Sequence, residues 1–204
     1  TEAQAVIHGD LHTGSVMVTE TETRVIDPEF AFVGPMAFDV GAIIANYLLS
    51  FFAHAGQGQG QPDPYCDWLL DQTKIVWSAF KAEFLHTWEH HADGETFGQG
   101  LFKDDAALAA LARYRADFMD KLFRDSLGFA GCKMIRRILG LAHVEDMESI
   151  ADARVRAGCE LLALGFARNL VLNAASFNGI EDVVAAARHH VNATQHSQGA
   201  LPNA

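Results

Sequence analysis

Basic residues are scarce in this chain: 15 Lys and Arg stand against 26 Asp and Glu in 204 residues, a formal net charge of −11. With an isoelectric point near 5.2, it lacks the clustered positive charge that neutralises a phosphate backbone, which excludes a nucleic-acid binder. Cysteine is rarer still. Three residues, Cys66, Cys132 and Cys159, are widely spaced and odd in number, which suits reduced thiols packed in the core of a cytoplasmic protein rather than a disulfide framework. Long apolar runs are missing too. The longest candidate, Ala42 to Ala53, is interrupted by Asn46 and Ser50 and falls short of the roughly 20 residues of a membrane helix, so no membrane is expected. No signal-peptide pattern opens the chain; Thr1 stands in place of Met and a dense motif follows almost at once, so the sequence reads as a fragment of a longer protein.

What is present is a core. Half of the residues are hydrophobic and 14 are Phe, enough to exclude a disordered tail and to fill one domain. The first forty residues read as short strands carrying loops: Ala5-Val6-Ile7, then Val16-Met17-Val18 and Arg24-Val25-Ile26, the last two joined by the polar stretch Thr19 to Thr23. From Asp39 the period becomes helical. Asp39 reads as the N-cap of an apolar helix over Val40 to Phe52 and as a brace for the preceding loop. Gly56 to Pro64 alternates Gly and Gln; with no Gly-Lys-Ser/Thr after it and no strand before it, it reads as a flexible connection rather than a phosphate loop.

Leu69, Thr73, Val76, Trp77, Phe80, Phe84 and Trp88 form one helical stripe, and Leu108, Leu111, Phe118, Met119, Leu122 and Phe123 a second. A short helix over Cys132 to Leu141, bounded by Gly131 and Gly140, a fourth through Leu161, Leu162, Leu164, Phe166 and Leu170, and a last over Ile180 to Val191 complete the pattern. The expectation is one mainly α domain over residues 1–194 with a small β-hairpin platform, and a flexible tail over 195–204.

The chemistry concentrates at the N-terminal end. Asp10 lies in His8-Gly9-Asp10-Leu11-His12 just beyond a strand, where a glycine turn aims a carboxylate into a cleft. Asp27 and Glu29 follow in Ile26-Asp27-Pro28-Glu29. Pro28 favours extended backbone at Asp27, which would place both carboxylates on one face. A pair of hard oxygen ligands suits Mg²⁺, which takes one or two carboxylates plus substrate phosphates. One carboxylate as base beside a two-carboxylate metal site is the layout of phosphoryl transfer. The plainer alternatives are a turn-capping role for Asp10 and strand-edge charges at Asp27 and Glu29. His8 reads as a structural brace, and His12 either approaches a substrate or faces solvent. His86, Glu89 and His90 have a spacing that suits a metal, though a trio on an aromatic-rich helix reads better as an exposed face.

With His8-Gly9-Asp10-Leu11-His12-Thr13-Gly14-Ser15, Asp27-Pro28-Glu29-Phe30 and Gly34-Pro35-Met36-Ala37-Phe38-Asp39-Val40-Gly41 on the page, the chain resembles the protein-kinase-like small-molecule kinases of the aminoglycoside and choline kinase group. Within it the chain is similar to the S-methyl-5-thioribose kinases, which Gly128-Phe129-Ala130-Gly131-Cys132, Ile135-Arg136-Arg137 and Gly140-Leu141-Ala142-His143 support. The resemblance implies the C-terminal lobe of a protein-kinase-like fold, the N-terminal ATP-gripping lobe being absent, and an ATP-dependent transfer to the 1-hydroxyl of 5-methylthioribose in methionine salvage. It implies Asp10 as catalytic base, Asp27 and Glu29 as Mg²⁺ ligands on the ATP phosphates, and Arg136 and Arg137 as a pair binding substrate and the moving phosphate. Ser15 falls where protein kinases carry an Asn that holds a second metal. A homodimer is implied as well. The expected partners are therefore ATP, the small-molecule substrate and the missing lobe, and this lobe alone is expected to be inactive. The alternatives are a related kinase acting on choline or an aminoglycoside, or a non-catalytic helical module.

Overall fold

The computed structural model describes residues 2–58, 63–90 and 102–199, side chains being included as far as residue 194. Four short strands open the chain: β1 (Ala5–Ile7), β2 (Val16–Val18), β3 (Thr23–Val25) and β4 (Phe32–Gly34). They form two antiparallel two-stranded sheets. One pairs β2 with β3, with Val16 opposite Val25, as a hairpin across the polar Thr19–Glu22 turn. The other pairs β1 with β4, with Val6 opposite Val33. Strand β4 was not expected, since Phe32-Val33-Gly34 is three residues between a turn and a proline and has no period of its own. Its partner strand defines it.

The rest is helical: α1 (Ala37–Gln57), α2 (Pro64–His90), α3 (Asp105–Leu139), a one-turn α4 (Glu145–Glu148), α5 (Ala153–Asn173) and α6 (Ile180–Gly199). The connection between α1 and α2 falls where the Gly-Gln repeat was expected, and residues 59–62 of it lie outside the described residues, as do 200–204 at the C-terminus. Helix α6 continues through Gly199, past the expected start of the polar tail at 195.

Helix α1 is the centre of the fold. It packs against α2, α3 and α5 and meets α4 and α6 as well, so it is apolar around its whole circumference rather than along one stripe. Ile44, Leu48, Leu49 and Phe52 are fully buried, and Phe52 stacks at a tilt on Phe166 of α5. The helix runs for 21 residues, longer than the sequence suggested, and by length and composition it is apolar enough to cross a bilayer. Its most apolar window is 78% buried inside the protein, which is the position of a core helix. The N-terminus also differs from expectation. The cap position falls to Met36, and Asp39 sits inside the first turn with its carboxylate turned toward the preceding loop.

The largest correction concerns α3. The two helices expected on either side of Gly131 are one helix of 35 residues, about 50 Å long at 1.5 Å per residue. Asp104 caps it, its side chain accepting the Ala107 N–H at 2.8 Å. Gly131 does not break it. A Cβ there would lie 2.6 Å from the Ala167 carbonyl oxygen of α5, so this glycine lets two helices cross closely. Gly41 serves the α1–α3 crossing in the same way, with Ser126 oxygen 2.5 Å from where its Cβ would stand.

Cys66 and Cys159 are core residues as expected, but Cys132 is exposed on α3. Burial first, then the nearby Asp63 carboxylate, pushes the Cys66 thiol up to about 12. Ellman's reagent at pH 8 is therefore expected to modify one thiol rapidly in the native protein, and none rapidly in Cys132→Ser. Cys66 and Cys159 should react only in denaturant.

Candidate active site

The loop after β1 is pinned from three sides. Asp39 accepts the backbone N–H of His8 at 2.5 Å and of Gly9 at 3.1 Å. The His8 ring takes the Asp10 N–H on Nδ1 at 3.3 Å, which leaves Nε2 protonated to donate to the Ile26 carbonyl at 2.8 Å. His8 is thus a brace between the two loops that carry the candidate carboxylates. Gly9 has φ +85°, and a Cβ on it would stand 2.1 Å from the Phe30 carbonyl oxygen. Only glycine fits there, because the backbone is left-handed and a second chain segment lies against it.

Ser15, at the end of a 3₁₀ turn over Thr13–Ser15, is buried, and its hydroxyl donates to the Asp10 carbonyl oxygen at 3.4 Å. In this position it supports the loop from behind. The Ser15 carbonyl in turn accepts the Ile26 N–H at 2.9 Å. Asn46 of α1 accepts from both the backbone N–H and the hydroxyl of Thr13, at 3.3 and 3.2 Å, a contact the sequence gave no sign of.

Asp10 projects from this frame into a positive environment. Lys133 Nζ of α3 donates to its Oδ1 at 2.6 Å, and Arg137, one turn further along α3, places a guanidinium nitrogen 3.7 Å from the same oxygen. His12 Nε2 lies 3.8 Å from Oδ2, so this ring faces Asp10. Partial burial pushes the Asp10 carboxyl up, but the Lys133 hydrogen bond and charge, with Arg137 and His12 behind them, outweigh it and hold the group below its ordinary value.

Of the expected arginine pair, Arg137 reaches the site and Arg136 does not. Consecutive residues diverge by about 100° around a helix. Arg136 is exposed and makes no ion pair among the described residues, whereas Arg137 also donates to the Ala142 carbonyl at 3.4 Å and keeps a buried Nε with no partner among the described residues. Lys133 was missed because a single lysine in Gly131-Cys132-Lys133-Met134-Ile135 reads as surface. Its i, i+4 spacing to Arg137 was the available signal, since it puts both cations on one face.

Asp27 and Glu29 do not stand on an extended strand. Asp27 has φ +66°, against the preference that a following proline imposes, and the chain then turns so that the Ala31 N–H reaches the Pro28 carbonyl at 3.0 Å. A non-glycine residue held in this region costs of order 1–3 kcal/mol and is concentrated at functional sites. Both carboxylates are exposed. They belong to the loop whose two ends touch the Asp10 loop, through Ile26 on His8 and Phe30 on Gly9. Among the described residues no group of three or more His, Cys, Asp or Glu side chains converges to hold a metal. A complete protein cage is thus not formed: Asp27 and Glu29 alone would leave most of a cation's shell to water and phosphate oxygens. The His86, Glu89 and His90 trio is not such a group: the two rings pack on each other at 4.2 Å, and Glu89 turns to Arg115 of α3 at 3.3 Å.

The Asp10 turn and the loop of Asp27 and Glu29 both lie within residues 1–69, which match the model of the phosphotransferase enzyme family APH. The wider chain points further. It is 43% identical over 190 residues to a methylthioribose kinase of Escherichia coli O45:K1 (strain S88 / ExPEC), covering 92% of this chain and 45% of that protein. Methylthioribose kinase 1 of Oryza sativa subsp. japonica is 45% identical over 186 residues, 89% of this chain and 43% of the relative. A methylthioribose kinase of Geobacillus thermodenitrificans (strain NG80-2) is 38% identical over 182 residues, covering 89% and 41%. The chain is therefore related to the methylthioribose kinases, and it spans under half the length of these relatives.

The fit of Gly9 under Phe30 gives a direct test of how the loops are held. Gly9→Ala forces a left-handed alanine into a backbone oxygen and should lower stability by about 1–3 kcal/mol. Urea unfolding of the variant against the parent measures this.

Proposed function

We propose that this chain is the catalytic, acceptor-binding C-terminal lobe of a protein-kinase-like enzyme that transfers a phosphoryl group from ATP to the 1-hydroxyl of 5-methylthioribose, with the ATP-gripping lobe outside the chain. The observation that carries this reading is the clamped Asp10 carboxylate, held by Lys133 and faced by Arg137, in a chain 43% identical to a protein named methylthioribose kinase.

In this reading Asp10 accepts a hydrogen bond from the acceptor hydroxyl and turns its oxygen toward the phosphorus in line with the leaving group. A carboxyl held below its ordinary value is a weak base but a well-fixed acceptor. That suits a loose transition state, in which the hydroxyl proton leaves late. The Arg137 guanidinium matches the oxygens of the moving phosphoryl group and stabilises the charge that spreads over them. Asp27 and Glu29 would hold Mg²⁺, which neutralises the charge of the ATP phosphates when bound. Ser15 stays a loop support in this scheme, because its hydroxyl already serves the Asp10 carbonyl.

A related kinase with a cationic acceptor such as choline or an aminoglycoside is the second reading. Lys133 and Arg137 beside the Asp10 oxygen disfavour it, since a positive acceptor would meet two like charges.

Steady-state assays on the full-length kinase that contains this chain test the assignment. Asp10→Asn should lower kcat by about 10²–10⁴, and methylthioribose should be phosphorylated where choline is not. Near-parental turnover in Asp10→Asn would remove Asp10 from the chemistry. The 204-residue chain alone should show no turnover and only weak Mg²⁺-ATP binding in calorimetry; tight binding would overturn the assignment of the ATP grip to another lobe.

A further inference from the structure

Lys133 is the one buried cation among the described residues, 7% exposed. Lysine is almost never buried to this degree unless it is paired. Ala130, one turn before it on the same face of α3, is fully buried, so the aliphatic stem lies against the core and delivers the ammonium to one place. Its carboxylate partner there is Asp10 Oδ1, at 2.6 Å, the short distance of a charge-assisted bond. Arg137 approaches that same oxygen. Among the described residues, the ion-pair contact of Oδ2 is with the His12 ring, at 3.8 Å and beyond hydrogen-bond reach.

We propose that Lys133 is a positioning residue for phosphoryl transfer: by holding Oδ1 of Asp10 from a fixed point on α3 it leaves Oδ2 as the oxygen that receives the acceptor hydroxyl. This rests on the kinase reading above and assigns within it a residue that acts through Asp10 without touching substrate. The two carboxylate oxygens are thereby unequal. A free carboxylate rotates about its Cβ–Cγ bond, whereas this one keeps one oxygen on Lys133 and presents the other, so the plane of the carboxylate is set before substrate arrives.

The charged groups facing Asp10 are Lys133 and Arg137 from α3 and His12 from its own loop, while Asp39 of α1 is engaged by the backbone of His8 and Gly9. Removing Lys133 takes away the strongest support for the ionised carboxylate and its fixed orientation together, so both kcat and its acid limb should respond.

The experiment compares kcat, KM for methylthioribose and the pH profile of kcat in the full-length kinase and in Lys133→Met, Lys133→Arg, Asp10→Asn and the double variant Asp10→Asn/Lys133→Met, with thermal melting of each. The expected result is a kcat about 10–100-fold lower in Lys133→Met, an acceptor KM changed by less than about threefold if the loss is confined to the transition state, and an acid limb moved to higher pH. Lys133→Arg should recover part of the rate. The double variant should be no slower than Asp10→Asn alone, because the lysine then has nothing left to position. Should Lys133→Met fail to fold, the double variant, in which neither charge is left without its partner, still gives that comparison.

An unchanged kcat and pH profile in Lys133→Met overturns the proposal, as does a further loss in the double variant beyond Asp10→Asn. If the parent enzyme is active and only these variant results fail, the kinase reading survives. If the parent phosphorylates no acceptor, both fall.

Discussion

A single carboxylate holds the site to the fold. Asp39 lies in the first turn of the most buried helix and accepts two backbone N–H groups from the loop of Asp10. Both bonds are charge-assisted, and the positive end of the α1 dipole favours the negative charge at that point. Without Asp39 the His8 and Gly9 amides would lose their partners in a half-buried position, a cost of about 1–3 kcal/mol for each group left unsatisfied. The remaining loop contacts build on this anchor. Once His8 is fixed, its ring can span from the Asp10 amide to the Ile26 carbonyl, and once Gly9 is fixed, Phe30 can lie on it. The core helix therefore positions two loops at once, although it contributes no group to the chemistry.

The electrostatics of the site run against those of the molecule. A chain of net charge −11 places Lys133 and Arg137 next to the carboxylate it would use in chemistry. Acidic surface elsewhere does not weaken that arrangement, because Lys133 is buried and its field is poorly screened, whereas exposed charges beyond a Debye length of about 8–10 Å contribute little. These neighbouring cations favour the ionised form of Asp10.

How much of this was legible in the sequence depended on the range of the forces involved. The β2–β3 hairpin could be read from Val16, Val18 and Val25 around a polar turn, and α1 from its apolar run, because both follow from local pattern. His8 was legible as a brace. What failed was the inference from local preference where tertiary contact overrides it. Gly131 looked like a helix boundary because its role, the close passage of Ala167, lies on another helix. Asp27 looked extended because Pro28 follows it, yet it is left-handed. Asp39 was legible as a brace for the preceding loop, while its reading as the cap itself failed, since the cap position falls to Met36. Lys133 carried only its i, i+4 spacing to Arg137 as a sequence signal, since its partner is the Asp10 oxygen at 2.6 Å.

Two of these failures share a location. Gly131 and Lys133 lie, with Arg137, on the second half of α3, where the helix touches α5 on one side and the Asp10 loop on the other. Had α3 ended at Gly131, the cations would ride on a separate short helix and their placement would follow a loop. Because the helix is continuous from Asp105 to Leu139, their distance to Asp10 is fixed by the α1–α3 and α3–α5 packing. Site geometry and core packing are then one property of the molecule. A methyl group added at Gly41 or Gly131, far from any reacting atom, would shift α3 against its neighbours and with it the ammonium on Asp10. A displacement of about 1 Å in such an arrangement is enough to cost two orders of magnitude in rate.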